Sequence, residues 1–358
     1  MADQTNIEWC DSTFNPWMGC TKVSPACDHC YAERDTRRFG RVEWGADKPR
    51  VRTSAANWKL PERLNREEFC ECPSCHWRGP ERECVWDNEQ CPQCGQIVET
   101  ARRRIFCASL ADWLDNEAPI EWLVDLLDLI RRTPNLDWLL LTKRIGTWHD
   151  RLVAAHDYGA AHGAGDDLLV WIDWWLAGLD IPANVWIGAT VVNQPEADRD
   201  IPKLLRVPAR VRFLSIEPML GPVNLNQWLL SEHGRRHIGA QPGIGWIICG
   251  GESGPHARPM HPDWVRGLRD QCAAAGVPFL FKQWGEWANQ HAAGLDESIC
   301  YEKSSKGGWI EPTGEWQEGE LAAPRSHAAE HIFHVGKKLA GRLLDGVEHN
   351  GHPKPLLV

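Results

Sequence analysis

Short runs of β-branched and aliphatic residues alternate along the chain with longer stretches whose apolar residues recur at helical spacing, the pattern of a parallel α/β fold. Strands are predicted over residues 104–109, 136–142, 185–190, 211–216, 246–249 and 277–281, with 7–14 as a weaker first member. Helices are predicted over 120–132, 196–205 and 261–275, the last opened by Pro262 and Asp263 and closed by Gly276. Six or seven such units predict an α/β fold built as a partial or full parallel (β/α) barrel, in which ligands gather at the C-terminal ends of the strands. Polar residues accumulate at those predicted ends: Ser109 with Asp112, Thr142 with Lys143 and Arg144, Thr190 with Asn193, Ser215 with Glu217, Gly250-Gly251-Glu252-Ser253, and Lys282 with Gln283. Each alone reads equally well as a cap or turn, but their recurrence on successive strands favours a shared site. Lys143 and Lys282 suit a carboxylate or phosphate, and Glu217 and Glu252 an amine or hydroxyls.

Composition narrows the class. The 358 residues, 43% of them hydrophobic, suffice for one large domain with an insertion or two modest ones. Apolar runs fall far short of the roughly 20 residues that cross a bilayer, and the polar N-terminus has no leader pattern, so a soluble, cytoplasmic protein with no membrane partner is expected. A formal charge of −10 argues against a general nucleic-acid coat protein. Locally, residues 34–52 carry Arg34, Arg37, Arg38, Arg41, Lys48, Arg50 and Arg52 against three acids, either a phosphate-tracking surface or a solvated loop. Most of the 21 tryptophans are expected in the core or lining grooves.

The 14 cysteines fall into clusters with metal-ligand rather than disulfide spacing. Cys72-Pro73-Ser74-Cys75 and Cys91-Pro92-Gln93-Cys94-Gly95 form two knuckles fifteen residues apart, the spacing of a zinc ribbon. Four thiolates around zinc is the favoured reading and iron the lesser, with Cys70 and Cys84 as nearby alternates. The ribbon, residues 66–100, reads as an insertion too small to fold without a metal staple. Cys20, Cys27 and Cys30 form a second group, one ligand short of a closed site. Three thiolates can hold a 4Fe-4S cluster and leave one iron open to substrate. The bland alternative is a zinc or redox-inert site completed by His29 or Cys10. Cys107 and Cys249 are expected to be buried in strands, Cys272 in a helix and Cys300 in a loop. His327, His331 and His334 are read as helix-surface residues, residues 159–167 as a loop or lid, and 334–346 as a short amphipathic helix.

The stretch Cys27-Asp28-His29-Cys30-Tyr31-Ala32-Glu33 resembles the cluster loop of radical S-adenosylmethionine enzymes, and its CYAE run resembles the branch related to spore photoproduct lyase. Leu141-Thr142-Lys143 resembles that branch too. Over most of its length, including IEWCDSTFNPWMGC, GGESG and GKKLAGRLLDG, the chain resembles an uncharacterised family of phage and prophage proteins with a three-cysteine motif. Two departures are visible. Six residues separate Cys20 from Cys27 where the usual spacing is three, and the GGE triplet stands near the sixth predicted strand rather than after the second.

The resemblance implies a radical SAM-type barrel, residues 1–65 and 101–289, interrupted by the ribbon and followed by a C-terminal extension over 290–358. It implies that Cys20, Cys27 and Cys30 hold the 4Fe-4S cluster and that S-adenosylmethionine chelates the open iron, is cleaved by one electron and yields a radical that abstracts hydrogen. Lys143 would then meet the cosubstrate carboxylate, Thr190, Glu217 and Glu252 would contact ribose, amine or substrate, and Tyr31 would pack beside the cluster or adenine. Two function classes follow. One is a radical SAM enzyme modifying a nucleic-acid base, nucleotide or attached group, served by an electron donor and a partner protein encoded nearby, in the host cytoplasm if phage-encoded. The other is a non-catalytic, zinc-stabilised nucleic-acid or protein binding protein.

Overall fold

The computed structural model describes residues 3–85, 89–229, 243–304, 306–319 and 323–353. Its first strands are β1 (Ser12–Phe14), which enters the main sheet, and a short pairing of β2 (Trp17–Met18) with β3 (Val51–Arg52). A three-stranded antiparallel sheet follows, made of β4 (Phe69–Glu71), β5 (Arg78–Pro80) and β6 (Glu99–Thr100). The main sheet continues with β7 (Arg103–Cys107), β8 (Leu136–Thr142), β9 (Val185–Thr190), β10 (Val211–Ile216), β11 (Trp246–Gly250) and β12 (Phe279–Gln283).

These seven strands are all parallel and lie in the order β1-β7-β8-β9-β10-β11-β12, a curled half-barrel whose outer strands do not pair with each other. The free side of β12 is covered by the chain near its C-terminus, with Phe281 N–H donating to His349 O and Gly351 N–H to Phe279 O, both at 2.9 Å. Because both faces of a parallel sheet are covered, strands such as β11, Trp-Ile-Ile-Cys-Gly, read as continuous apolar runs. In β8, Trp138 and Leu140 join the large core under the helices, while Leu139 joins the inner core with Trp9, Phe106, Trp186, Phe213 and Trp246. Each such fully buried aliphatic side chain contributes about 1.5–3 kcal/mol of apolar burial.

Helices Ile120–Arg132, Gln194–Arg206 and Pro262–Ala275 occupy the predicted crossovers. Residues 159–167, expected as a loop or lid, instead carry the end of helix Trp148–Ala161 and the start of Asp166–Ala177, leaving a short turn. Gly159 lies inside the first helix because a Cβ there would stand 3.2 Å from Ala164 Cβ and 3.3 Å from Leu169 Cδ2, so its absence lets the two helices pack closely.

Beyond the barrel, β13 (Trp287–Asn289), β14 (Gly307–Ile310), β15 (Trp316–Glu318) and β16 (Glu330–His334) form an antiparallel sheet in the order β13-β16-β14-β15. His331 and His334 therefore lie on a strand, not on a helix, and Cys300 is buried in helix Glu297–Lys303 rather than in a loop. The helix expected over 334–346 shrinks to Lys337–Ala340, bracketed by Gly336 and Gly341 at φ 84° and 67°. Cys107 and Cys249 are buried in strands and Cys272 in a helix, as expected. No helix among the described residues is long and apolar enough to cross a membrane.

Candidate functional site

Cys20, Cys27 and Cys30 sit on the segment that follows β2. Cys27 closes a short 3-10 turn, Pro25–Cys27, capped by Ser24, whose hydroxyl oxygen accepts from Ala26 N–H at 3.1 Å. Cys30 caps helix Tyr31–Arg38. All three line one cavity of about 140 Å³. Ser109, Thr142, Lys143, Thr190, Glu217 and Lys282, from the C-terminal ends of β7, β8, β9, β10 and β12, line it too. Trp9, Phe106 and Leu141 of the inner core supply an apolar part of the wall. Tyr31 also lines it, its hydroxyl donating to Ser109 O at 2.9 Å.

The Cys20 side of the loop rests on buried charge. Arg144 donates to Cys20 Sγ at 3.2 Å and to Thr21 O at 2.7 Å, and lies 3.4 Å from Asp112. Asp112 accepts from the Thr142 hydroxyl at 2.7 Å and from Lys143 N–H at 2.9 Å, tying the loop to the end of β8. Beneath it, Arg50 and Asp115, both with fully buried side chains, pair at 2.7 Å, and Arg50 also donates to the Thr21 hydroxyl at 2.8 Å. Burial, reinforced by the Asp112 carboxylate, pushes the Cys20 thiol up to about 12 against the pull of Arg144. A metal at this thiol must therefore displace its proton.

Glu252 is not among the residues lining the cavity. Its carboxylate is 5% exposed and accepts from Arg258 Nε at 2.8 Å, Nη2 at 2.6 Å and the Arg258 backbone N–H at 2.8 Å. Arg258 also donates to Asp28 Oδ2 at 3.0 Å and to Pro25 O at 2.9 Å, and His29 Nδ1 lies 3.2 Å from Glu252 Oε2. The pair thus clamps the turn between Cys27 and Cys30 from outside. Burial opposes the Glu252 charge, but the bonds from Arg258 and His29 outweigh it and hold its pKa below the usual carboxylate range. Gly251, just before it, and Gly285 serve a close backbone crossing: a Cβ on Gly251 would lie 1.9 Å from Trp284 O, and one on Gly285 2.0 Å from Glu252 O. His29 is thereby turned toward Glu252. Cys10 is buried with the inner core and does not line the cavity.

Across the cavity, Lys282 Nζ pairs with Glu217 Oε1 at 3.1 Å, and the Ser215 hydroxyl donates to Glu217 Oε2 at 3.3 Å. Burial disfavours the Lys282 charge, yet the adjacent carboxylate prevails and raises its pKa. Two polar groups here lack partners among the described residues: the buried Thr190 hydroxyl, and the Lys143 ammonium, which no carboxylate meets. Orphaned polar groups beside a cavity are places where a ligand gains the most.

Cys72, Cys75, Cys91 and Cys94 present four sulfurs within 4.8 Å of one another, a group that could hold a metal ion. Its two knuckles match: His76 and Gly95, at φ 60° and 74°, each donate a backbone N–H to the first cysteine's carbonyl at 2.9 Å. Burial opposes ionisation of Cys72, but the Ser74 and Cys75 N–H groups and neighbouring thiols draw it down to about 7. Cys70 and Cys84 are buried and fall outside the four-sulfur group. Cys20, Cys27 and Cys30 do not converge in that way. Ligands of different irons in one cluster are spread around it and stand farther apart than thiolates sharing a single ion.

The basic segment 34–52 is largely neutralised. Arg34, Arg37, Lys48, Arg50 and Arg52 pair with Asp35, Glu33, Glu43, Asp115 and Asp125, while Arg38 and Arg41 flank the exposed Phe39 ring. Arg50, Asp115, Arg258 and Trp9 escaped sequence reasoning as site-building residues. No periodicity links Arg258 to Glu252 six residues before it, and nothing in spacing brings either to the cysteine turn.

Fold and site define a parallel α/β half-barrel protein with a four-cysteine metal-binding group and a three-cysteine cavity at its strand ends. The chain belongs to the family described as "Protein of unknown function (DUF5131)", whose model matches residues 4–353. No curated protein and no solved structure matches the chain.

Proposed function

We propose that the protein is a radical SAM enzyme whose three-cysteine cavity takes a 4Fe-4S cluster and S-adenosylmethionine and modifies a nucleic-acid base, nucleotide or attached group. The observation that carries this reading is the lining of one strand-end cavity by Cys20, Cys27 and Cys30 together with Lys143 and Thr190, a cation and a hydroxyl without protein partners. The donor set fits the group: three thiols with no fourth cysteine among the lining residues leave one coordination position for a ligand. When bound, the reduced cluster supplies one-electron cleavage of S-adenosylmethionine and hence hydrogen abstraction.

The chain's own residues do the rest. Arg144 and the Glu252–Arg258 clamp orient the loop from two sides, Lys143 meets a carboxylate, and Thr190 and the Glu217–Lys282 pair meet hydroxyl or amine groups. Trp9, Phe106 and Leu141 keep the wall apolar, which limits water. Zinc at Cys72, Cys75, Cys91 and Cys94 is structural in this scheme.

Anaerobic purification followed by iron, sulfide and zinc analysis tests it, with spectra of dithionite-reduced protein with and without S-adenosylmethionine. About four irons and one zinc per chain are expected, with a cosubstrate-dependent spectrum lost in a Cys27→Ala/Cys30→Ala double variant. Zinc at both sites, no iron and no cleavage would leave the protein a zinc-stabilised binding protein.

A further inference from the structure

A larger cavity lies at the other end of the strands. An open groove of about 870 Å³ runs between the four-cysteine ribbon and the N-terminal ends of β7 to β10, with Arg102, Arg104, Asp137, Trp186 and Arg210 on the barrel side and Phe69 and Arg78 on the ribbon side. Its size is that of a small-ligand site. Its charges are unevenly matched. Arg78 is held by Asp11 at 3.0 Å and by Glu71, and Arg103 by Glu67. Arg102 reaches Asp137 only at 3.8 Å.

Arg104 is the exception that matters. It is 3% exposed and lines the groove, yet its side-chain nitrogens make no hydrogen bond among the described residues, and the carboxylate within ion-pair reach, Glu71 at 3.7 Å, is already committed to Arg78. Arg210, exposed on the same wall, makes no ion pair among the described residues. A guanidinium buried without its own counter-charge is strongly unfavourable unless an anion joins it. Burial and the neighbouring Arg78 lower Arg104 to about 10, and burial with Arg104 and Arg78 holds His352, stacked 5.0 Å from the Trp246 ring, far below its usual value.

We infer that this groove is a second ligand site, taking a phosphate-type or carboxylate oxyanion on Arg104 with Arg210 and Arg102 at its rim. Planar oxyanions and phosphates are what a guanidinium fork matches, and the Arg104 terminal nitrogens, which no hydrogen bond among the described residues occupies, are the donors left for them. The ribbon supplies one wall, giving the insertion a role besides its own folding. The site is independent of the iron reading, since it lies at the opposite strand ends from the cysteine cavity.

Isothermal titration calorimetry of the full, metal-replete chain at low ionic strength tests it, with inorganic phosphate in one arm and citrate in the other. One saturable site is expected in at least one arm, and the stronger arm identifies the ligand's acidic group. Arg104→Met and, separately, Arg210→Ala should weaken binding by about tenfold or more. The exposed Arg210 keeps the test valid should Arg104→Met fold poorly. Absence of saturable binding in both arms, or binding unchanged in Arg210→Ala and in a folded Arg104→Met, overturns the inference.

Discussion

Replacing Glu252 by Gln separates two roles for the GGE glutamate: contact with a cosubstrate amine, which the family resemblance implies, and the loop clamp its hydrogen bonds describe. The carboxylate accepts three bonds from Arg258 and stands 3.2 Å from His29. Glutamine keeps one acceptor oxygen and turns an amide NH2 toward donors, so at least one charge-assisted bond is lost. Such a bond is worth about 1.5–3 kcal/mol. Arg258 is 31% exposed, and solvent screening brings the expectation to the lower end, about 1.5–2 kcal/mol. Urea denaturation at pH 7 measures it, and hydrogen exchange over residues 20–30 shows whether the loop loosens. The pH dependence has a definite sign. The folded-state pKa of Glu252 is depressed, so its contribution is present above the ordinary carboxylate range and lost as pH falls through the lowered value. Wild type should therefore converge on Glu252→Gln in acid. In the clamp reading, iron per chain also falls in the variant. A loss under about 0.5 kcal/mol with unchanged loop exchange, full iron and weakened S-adenosylmethionine binding would refute the clamp and return Glu252 to the cosubstrate.

Three further outcomes are expected. Arg50→Met takes the 2.7 Å partner from buried Asp115, leaving it Arg144 at 3.8 Å, and should cost about 3 kcal/mol in urea denaturation, part of it recovered in Arg50→Met/Asp115→Leu; a loss under about 1 kcal/mol would show that the pair is not isolated from water. Gly251→Ala forces a Cβ against Trp284 O and should lower stability by at least about 1–3 kcal/mol, read as a drop in melting temperature. Removing metal from Cys72, Cys75, Cys91 and Cys94 with a chelator should raise hydrogen exchange across residues 69–100 while the amides of β8 to β11 stay protected; equal exchange in both regions would mean that the metal does not staple the ribbon.

The parallel sheet was legible because its strands are buried on both faces. β8, β9 and β10 are apolar apart from Asp137, Arg212, Ser215 and their terminal threonines, and their bounds match the prediction residue for residue. Helices with caps and regular spacing were legible for a related reason. Trp148–Ala161 and Asp166–Ala177 were not, because Gly159 and the neighbouring alanines serve close helix contact, and small residues carry the same letters in a packed seam as in a loop. The C-terminal antiparallel sheet escaped because its strands are short and punctuated by glycine, giving no sustained alternation. In the candidate site, the strand-end rule found Lys143, Thr190 and Glu217, which line the cavity, and also singled out Glu252, which does not line it. Spacing can name the strand end on which a residue sits, but whether its side chain turns inward or toward a returning loop depends on partners that the pattern does not name, here Arg258 six residues on and the distant His29.

The cysteine loop is held by ions where packing alone would have been as stable. Arg50, Asp112, Asp115 and Arg144 are buried behind Cys20, and Glu252 with Arg258 backs the turn between Cys27 and Cys30. Buried ion pairs rarely out-stabilise apolar residues of similar volume, so global stability does not explain them. Direction does. Apolar packing is tolerant of small displacements, whereas Arg144 fixes Cys20 Sγ at 3.2 Å and Arg258 fixes both Pro25 O and Asp28 through hydrogen bonds that weaken steeply when misaligned. Two rigid supports on either side of a three-thiol loop, each tied to a different strand end, hold three donors in a set relation to Lys143 and Thr190 across the cavity. A purely structural metal site would need neither support, as the four-cysteine ribbon illustrates: its sulfurs converge on backbone turns alone. The contrast within one chain is the strongest physical reason to read the first group as a working centre and the second as a staple.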